Sequence, residues 1–236
     1  MEEFIFNLQR FADEDTTDDS TDDSTDDTDD TDDSTTDDSS TTPTRVDITI
    51  SESGTYTVES AGTITIATTA PVILVSAAGS SPIDAQIVTG ATAVNLVIEG
   101  LNLSSTGSPI KFGSGGGTLT LLGNNTLTTS GANSAALNIG GGLTISGTGY
   151  LTATATGYGA GIGTDYGETT SANLTVVNGI ITAQSNYGAG FGSGFQSSVG
   201  NIAISGGTVN ATSNSGAGIG SGFGGAVGNI TIGGNA

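Results

Sequence analysis

Cysteine and histidine are absent from the 236-residue chain, and only Arg10, Arg45 and Lys111 carry positive charge. The first absence removes disulfides, thiolate chemistry and the commonest zinc ligands; the second removes imidazole acid–base work near neutral pH. Three scattered cations make no basic patch able to track a phosphate backbone, which argues against nucleic-acid binding. Hydrophobic residues reach only 34%, and no run approaches the roughly 18 apolar residues that mark a membrane-spanning helix. The opening segment begins with Glu2 and Glu3 and shows neither the apolar run nor the small-residue cleavage site of a secretory signal.

Glycine and acid are in excess: 39 glycines, and 24 Asp and Glu for a formal net charge of −21. The acids are segregated. Seventeen lie in residues 1–46, and only Asp47, Glu52, Glu59, Asp84, Glu99, Asp165 and Glu168 lie beyond. Residues 13–45 alternate Asp pairs with Ser and Thr and offer no core, so they are expected to be a disordered spacer kept extended by self-repulsion. A weak Ca2+ sponge is the alternative there, although the Gly and fixed ligand order of a calcium loop are missing. Residues 1–12 form a separate short segment, 46–93 fit first coils or a cap, and 94–236 carry a repeat.

The repeat is about 28 residues long, with Asn173, Asn201 and Asn229 at that interval. Such a period indicates a solenoid. Each unit holds three short alternating runs, and alternation places i and i+2 on one face. The first run puts Leu96 and Ile98, Leu119 and Leu121, Leu143 and Ile145, Leu174 and Val176, Ile202 and Ile204, and Ile230 and Ile232 inward. The second contributes Leu151 and Ala153, Ile181 and Ala183, and Val209 and Ala211. The third aligns Ile110 and Phe112, Leu137 and Ile139, Ala160 and Ile162, Ala189 and Phe191, and Ala217 and Ile219. Thr144, Thr175, Thr182 and Thr212 point outward, as suits a β-branched polar residue.

These patterns predict an all-β fold, a right-handed parallel β-helix with three short strands per coil. Asn173, Asn201 and Asn229 should form an amide ladder at one turn. The coils that run from Leu96 to Leu119 and from Leu119 to Leu143 are shorter than those that follow, so the cross-section should widen toward the carboxyl end. Ile230 and Ile232 open a coil that the sequence does not continue, which leads to an expectation of end-to-end self-association through that strand.

Gly-Ala-Gly-(Ile or Phe)-Gly recurs at 159, 188 and 216. The G-x-G-x-x-G spacing and following helix of a dinucleotide fingerprint are missing. Two readings remain: Gly161, Gly190 and Gly218 form a bare outward strip that another surface can approach, or they ease packing against the adjoining turn. Tyr166, Phe195 and Phe223 are expected to stack as an internal ladder, while Tyr158 and Tyr187, whose hydroxyls want water, should be exposed as a platform for sugar rings. Asp165 and Glu168 share a loop that is longer than its equivalents, and such insertions map to binding faces. The candidate glycan contacts are therefore Tyr158, Tyr187, Gly161, Gly190, Gly218, Asp165, Tyr166 and Glu168. Catalysis is disfavoured: glycoside hydrolysis needs two carboxyls across one bond, and Lys111, the one cation of the repeats, has no charged companion in sequence.

The units Asn201-Ile-Ala-Ile-Ser-Gly-Gly-Thr-Val-Asn-Ala-Thr and Gly216-Ala-Gly-Ile-Gly-Ser-Gly resemble repeats of bacterial cell-surface and carbohydrate-binding β-helix proteins. That resemblance, over residues 94–236, implies a pectate-lyase-like coil without lyase activity or cofactor, an extracellular or cell-surface setting and a polysaccharide partner. The family's calcium-binding acids have no matching cluster here. Asn7-Leu-Gln-Arg-Phe-Ala12 is similar to the openings of tailed-phage and prophage structural proteins, which implies a virion fibre instead. A non-enzymatic, glycan-binding adhesin-like module is the first expectation, the virion fibre the second, and a polysaccharide-degrading enzyme the third.

Overall fold

The computed structural model describes Arg45, residues 47–76 and residues 81–235. The opening segment 1–12 and the acidic spacer up to Thr44 lie outside the described residues. Those described form an all-β solenoid in which every strand pairing is parallel.

Three long sheets run along the rod, and a fourth, of the two short strands Ser198–Val199 and Ala226–Val227, joins the last wide coils. The first stacks eight strands from Gly54–Val58 through Val94–Glu99, Gly117–Leu122 and Leu143–Gly147 to Ile202–Gly206 and Ile230–Asn235. The second stacks five, from Asn102–Ser105 through Asn124–Thr129, Tyr150–Ala155 and Ile180–Ser185 to Thr208–Ser213. The third stacks eight, from Ile48–Ile50 to Ile219–Gly220, and shrinks to two-residue strands from Ile110–Lys111 onward. From Val94 the chain visits the three long sheets in turn, and after Phe191–Gly192 and after Ile219–Gly220 it passes through the short fourth sheet before re-entering the first. Before Val94 it alternates between the first and third, and a single bridge from Ile83 to Leu103 stands in for the second.

The inward stripes are where the alternation placed them. Leu96, Ile98, Leu119, Leu121, Ile145, Leu174, Ile181 and Phe191 are buried, and Thr144, Thr175, Thr182 and Thr212 face solvent at least in part. Each buried Leu or Ile contributes about 1.5–3 kcal/mol, so the apolar column is what holds coils that have few residues apiece. At the last strand Ile230 and Ile232 are 43% and 60% exposed.

Two alignments are corrected by register. Leu119 pairs with Ile145, and it is Gly117 that pairs with Leu143, so this coil is longer than the step from Leu119 to Leu143 implied. A slip of two positions keeps the same face inward and leaves no trace in the hydrophobic pattern. The second sheet decides it: Asn125 pairs with Leu151, the same offset as Leu119 with Ile145, and a shorter coil would put the two sheets out of step. Likewise Leu137 pairs with Ile162, not with Ala160. The column begun by Phe112 and Ile139 therefore continues as Thr164 and Ser193, all four fully buried. The widening is real. In the first sheet the step from Gly54 to Val72 is the shortest, those from Val72 to Leu96 and from Leu96 to Leu119 are nearly equal, and the step then lengthens from Leu119 to Ile145 and again from Ile145 to Val176. The spacing then eases slightly and stays constant from Val176 to Ile204 and from Ile204 to Ile232.

The asparagines stack, but by a different bond from the one expected. Asn173 Oδ1 accepts the Asn201 backbone N–H at 2.8 Å, and Asn201 Oδ1 accepts that of Asn229 at 2.9 Å. A turn leaves N–H groups unpaired, and a side-chain oxygen one coil below satisfies them.

Candidate functional site

The wide coils place the candidate residues together at the bend between the second and third sheets. In each coil the chain leaves the second sheet, passes Gly-Ala-Gly-x-Gly and enters a two-residue strand. The segment is curled tightly enough that the Ala160 N–H donates to the Thr164 carbonyl at 3.1 Å, and the same bond recurs from Ala189 to Ser193 and from Ala217 to Ser221.

The curl accounts for the glycines and corrects the bare strip. Gly161 and Gly190 are buried. A Cβ on Gly161 would lie 2.7 Å from the Gln184 nitrogen, and one on Gly190 would lie 2.7 Å from the Thr212 nitrogen, so the second sheet's own backbone occupies that face. Gly218 is half-buried, and a Cβ there would lie 2.6 Å from the Ala211 carbonyl oxygen. The last glycine of each motif is held by conformation as well as space: Gly163, Gly192 and Gly220 have φ of +150°, +143° and +141°, a region that favours glycine. Packing of the chain on itself consumes the motif, and no strip remains for a ligand.

The aromatic residues are brought together at the surface. Tyr158 and Tyr187 stack at 4.7 Å between ring centroids. Tyr166, Phe195 and Phe223 form a second column, with centroids 5.9 Å and 5.4 Å apart. Tyr158 joins the two, lying 5.7 Å from Tyr166 and 5.3 Å from Phe195, edge-on to the latter. The second column is a ladder, as its spacing predicted, but an external one: Tyr166 is 42% and Phe223 67% exposed, while only Phe195 is half-buried. It lies outside because Thr164 and Ser193 already fill the inward positions before the loop turns. Tyr158 and Tyr187 are exposed as expected. Phe195 is stacked on both sides, so free faces belong to the ends of the columns. Ser215 occupies the position above Tyr187, and this small side chain leaves that ring's far face uncovered.

Gln196 lies beside these rings, and its role was not evident from sequence. Its backbone has φ +50°, the one positive value among the described non-glycine residues, at a cost of about 1–2 kcal/mol. Its Oε1 accepts the Tyr166 hydroxyl at 2.9 Å. Comparison of Asp165-Tyr-Gly167, Gly194-Phe-Gln196 and Gly222-Phe-Gly224 is the signal that could have found it, since glycine stands at that turn in the coils on either side.

Asp165 and Glu168 do sit in the longer loop, but their carboxylates are turned onto the chain below. Asp165 Oδ1 accepts the Ser108 hydroxyl at 3.0 Å and the Ala135 N–H at 2.8 Å, and Oδ2 accepts Lys111 Nζ at 2.7 Å. Glu168 Oε2 accepts the Asn138 amide at 2.7 Å and the Asp165 N–H at 3.0 Å. Lys111 thus has the charged companion that its sequence neighbours do not supply. Its partner is 54 residues on. The loop lies in the longest coil of the first sheet, between Ile145 and its partner Val176, and its acids fasten that overhang to Ser108, Lys111, Ala135 and Asn138.

The electrostatics match a clamp. Burial alone would push the Asp165 carboxyl up, but the Ala135 N–H and the Lys111 ammonium outweigh it and hold the group below its ordinary value. Burial pulls Lys111 down, and the hydrogen bond and charge of Asp165, with the charge of Glu168, raise it overall. A carboxyl kept ionised and an amine kept protonated are poor as general acid and general base respectively. Among the described residues no three Asp or Glu side chains gather to hold a metal ion, and no helix is long and apolar enough to cross a membrane. Comparison with protein-family models, curated proteins and solved structures finds no match.

Proposed function

We propose that the chain is a non-enzymatic, extracellular or cell-surface module of adhesin type that holds a neutral polysaccharide on the aromatic strip of its wide coils. The observation that carries this reading is the exposed five-ring cluster of Tyr158, Tyr187, Tyr166, Phe195 and Phe223 across three successive coils. Aromatic faces with hydroxyls at the rim suit sugar rings, which offer apolar C–H faces and polar edges. Lys111, the one cation of the repeats, is already paired with Asp165 and so offers no free charge to an acidic ligand, which favours an uncharged one. Internal pairing of Asp165 and Glu168 supports binding over hydrolysis, because no uncommitted carboxyl pair among the described residues flanks the rings.

The test is a glycan array and a product assay on the full chain. We expect retention of a neutral polysaccharide, affinity about tenfold weaker in Tyr187→Ala, and no new reducing ends or unsaturated products. Absence of binding to every glycan would overturn the reading, and so would turnover of a bound one.

A further inference from the structure

We infer that Gln196 is the specificity-determining residue of the aromatic strip, its side-chain amide donating to a hydroxyl or ring oxygen of the bound neutral polysaccharide. The inference rests on the glycan reading above and deepens it.

Three successive coils turn at the same point in the same way. The Gly167 N–H donates to the Phe195 carbonyl and the Gln196 N–H donates to the Phe223 carbonyl, at 3.1 Å and 2.9 Å. Gly167, Gln196 and Gly224 are thereby in register, and all three are left-handed, with φ of +69°, +50° and +67°. The turn itself asks for glycine, which the flanking coils supply. Only the middle coil carries a Cβ there, and the strain is not offset by burial, since Gln196 is exposed. Backbone strain retained at an exposed position next to an open aromatic cluster marks a side chain kept for contact with something else.

The contact it can make is defined. Its oxygen accepts the Tyr166 hydroxyl, which leaves the two Nε2 protons as donors. No protein acceptor takes them among the described residues. The bond to Tyr166 already restricts the side chain, so a sugar oxygen placed there is bound with less further loss of rotamer freedom. The rings grip any pyranose face in much the same way, whereas one fixed donor accepts only sugars with an oxygen at the right ring position. Rings supply affinity and Gln196 supplies choice.

The experiment uses the full chain against a panel of immobilised neutral polysaccharides (a β-glucan, a galactomannan and a xylan) with polygalacturonate as the acidic control. Three variants are compared: Gln196→Gly, Gln196→Glu and Tyr187→Ala. Gln196→Gly restores the residue of the flanking coils, so its thermal midpoint should be equal to or above that of the parent, while affinity for the preferred polysaccharide falls about tenfold and the preference within the panel flattens. Gln196→Glu keeps an oxygen for Tyr166 but loses the donor, and should lose the same preference. Tyr187→Ala should weaken the whole panel without reordering it. A Gln196→Gly protein that keeps both affinity and rank order would overturn the inference and leave the glycan reading standing. A lowered midpoint with unchanged preference would overturn it too, making the Tyr166–Gln196 bond purely structural. A parent chain that binds none of the panel would remove the glycan reading itself.

Discussion

The narrow coils and the wide coils solve one packing problem with different means. Between Gly54 and Gly142 the third inward column is extended by the large apolar Phe112 and Ile139, both fully buried. Beyond Leu143 that column continues as the smaller, polar Thr164 and Ser193, also fully buried, while glycines lie close against neighbouring backbone in both halves, as at Gly113 and Gly140 in the narrow coils and at Gly163 and Gly192 in the wide ones. The difference teaches that the aromatic face belongs to the loops of the wide coils and not to their inward columns. Tyr166, Phe195 and Phe223 lie in the loop beyond that column and stack along the outer surface, whereas Phe191, inward on its strand, is fully buried. At the junction, Asp165 and Glu168 fasten the first wide coil to the narrow ones.

Five substitutions would break or sharpen that comparison. The largest effect is expected from Gly192→Ala, whose added methyl would overlap the Gly220 carbonyl oxygen at a left-handed φ. A loss of about 3 kcal/mol or more is expected, whereas Gly167→Ala, with open space around its Cβ, should cost about 1 kcal/mol. Denaturant unfolding of the two variants measures the contrast, and equal losses would show that conformation rather than backbone packing holds the wide coils.

Phe112→Ala should cost about 3–5 kcal/mol, as expected for a fully buried aromatic residue in a side-chain core. Its counterpart in the wide half behaves otherwise: Ser193 Oγ is buried without a hydrogen-bond partner, so Ser193→Ala should be neutral or stabilising within about 1 kcal/mol. A large loss at Ser193 would mean that its hydroxyl is satisfied in solution and that the wide column is a polar network.

The junction has a pH signature. Asp165 titrates below its ordinary value, so its contribution is complete above about pH 4 and is lost as pH falls through the lowered folded value; Lys111 titrates above its own, so its contribution is complete below about pH 10 and is lost as pH rises through the raised one. The unfolding midpoint should be flat between these limits. Because Lys111 is 46% exposed, solvent screening keeps the pair's own share small. Asp165→Ala should cost about 1–2 kcal/mol at neutral pH, mainly through the hydrogen bonds of Ser108 and Ala135. The variant should also lose part of the acid-side slope; an unchanged slope would place that titration elsewhere in the chain.

Much of the fold was legible because parallel stacking writes itself into sequence as a repeat. Alternation at Leu174 and Val176 or Ile202 and Ile204 says which side chains are inward without any knowledge of the neighbours. The register of Leu119 was not legible, since Gly117 and Leu119 share a face and a slip of two preserves every hydrophobic position. The exposure of Tyr158 and Tyr187 could be read from their hydroxyls, but the exposure of Tyr166 and Phe223 could not, because a place in the loop beyond an inward Ile says nothing about which way that loop turns.

Sequence by itself determined the solenoid, its inward columns, its widening and the coils that carry the rings, all of which follow from a local period of two inside a longer repeat. Only the tertiary structure decided what those residues face. Gly161 and Gly190 look open until the neighbouring sheet folds onto them, Lys111 looks alone until a loop 54 residues away reaches it, and Gln196 looks ordinary until its turn is seen to be left-handed. Each of these depends on contacts between coils, and no pattern within one coil encodes how far its loops reach.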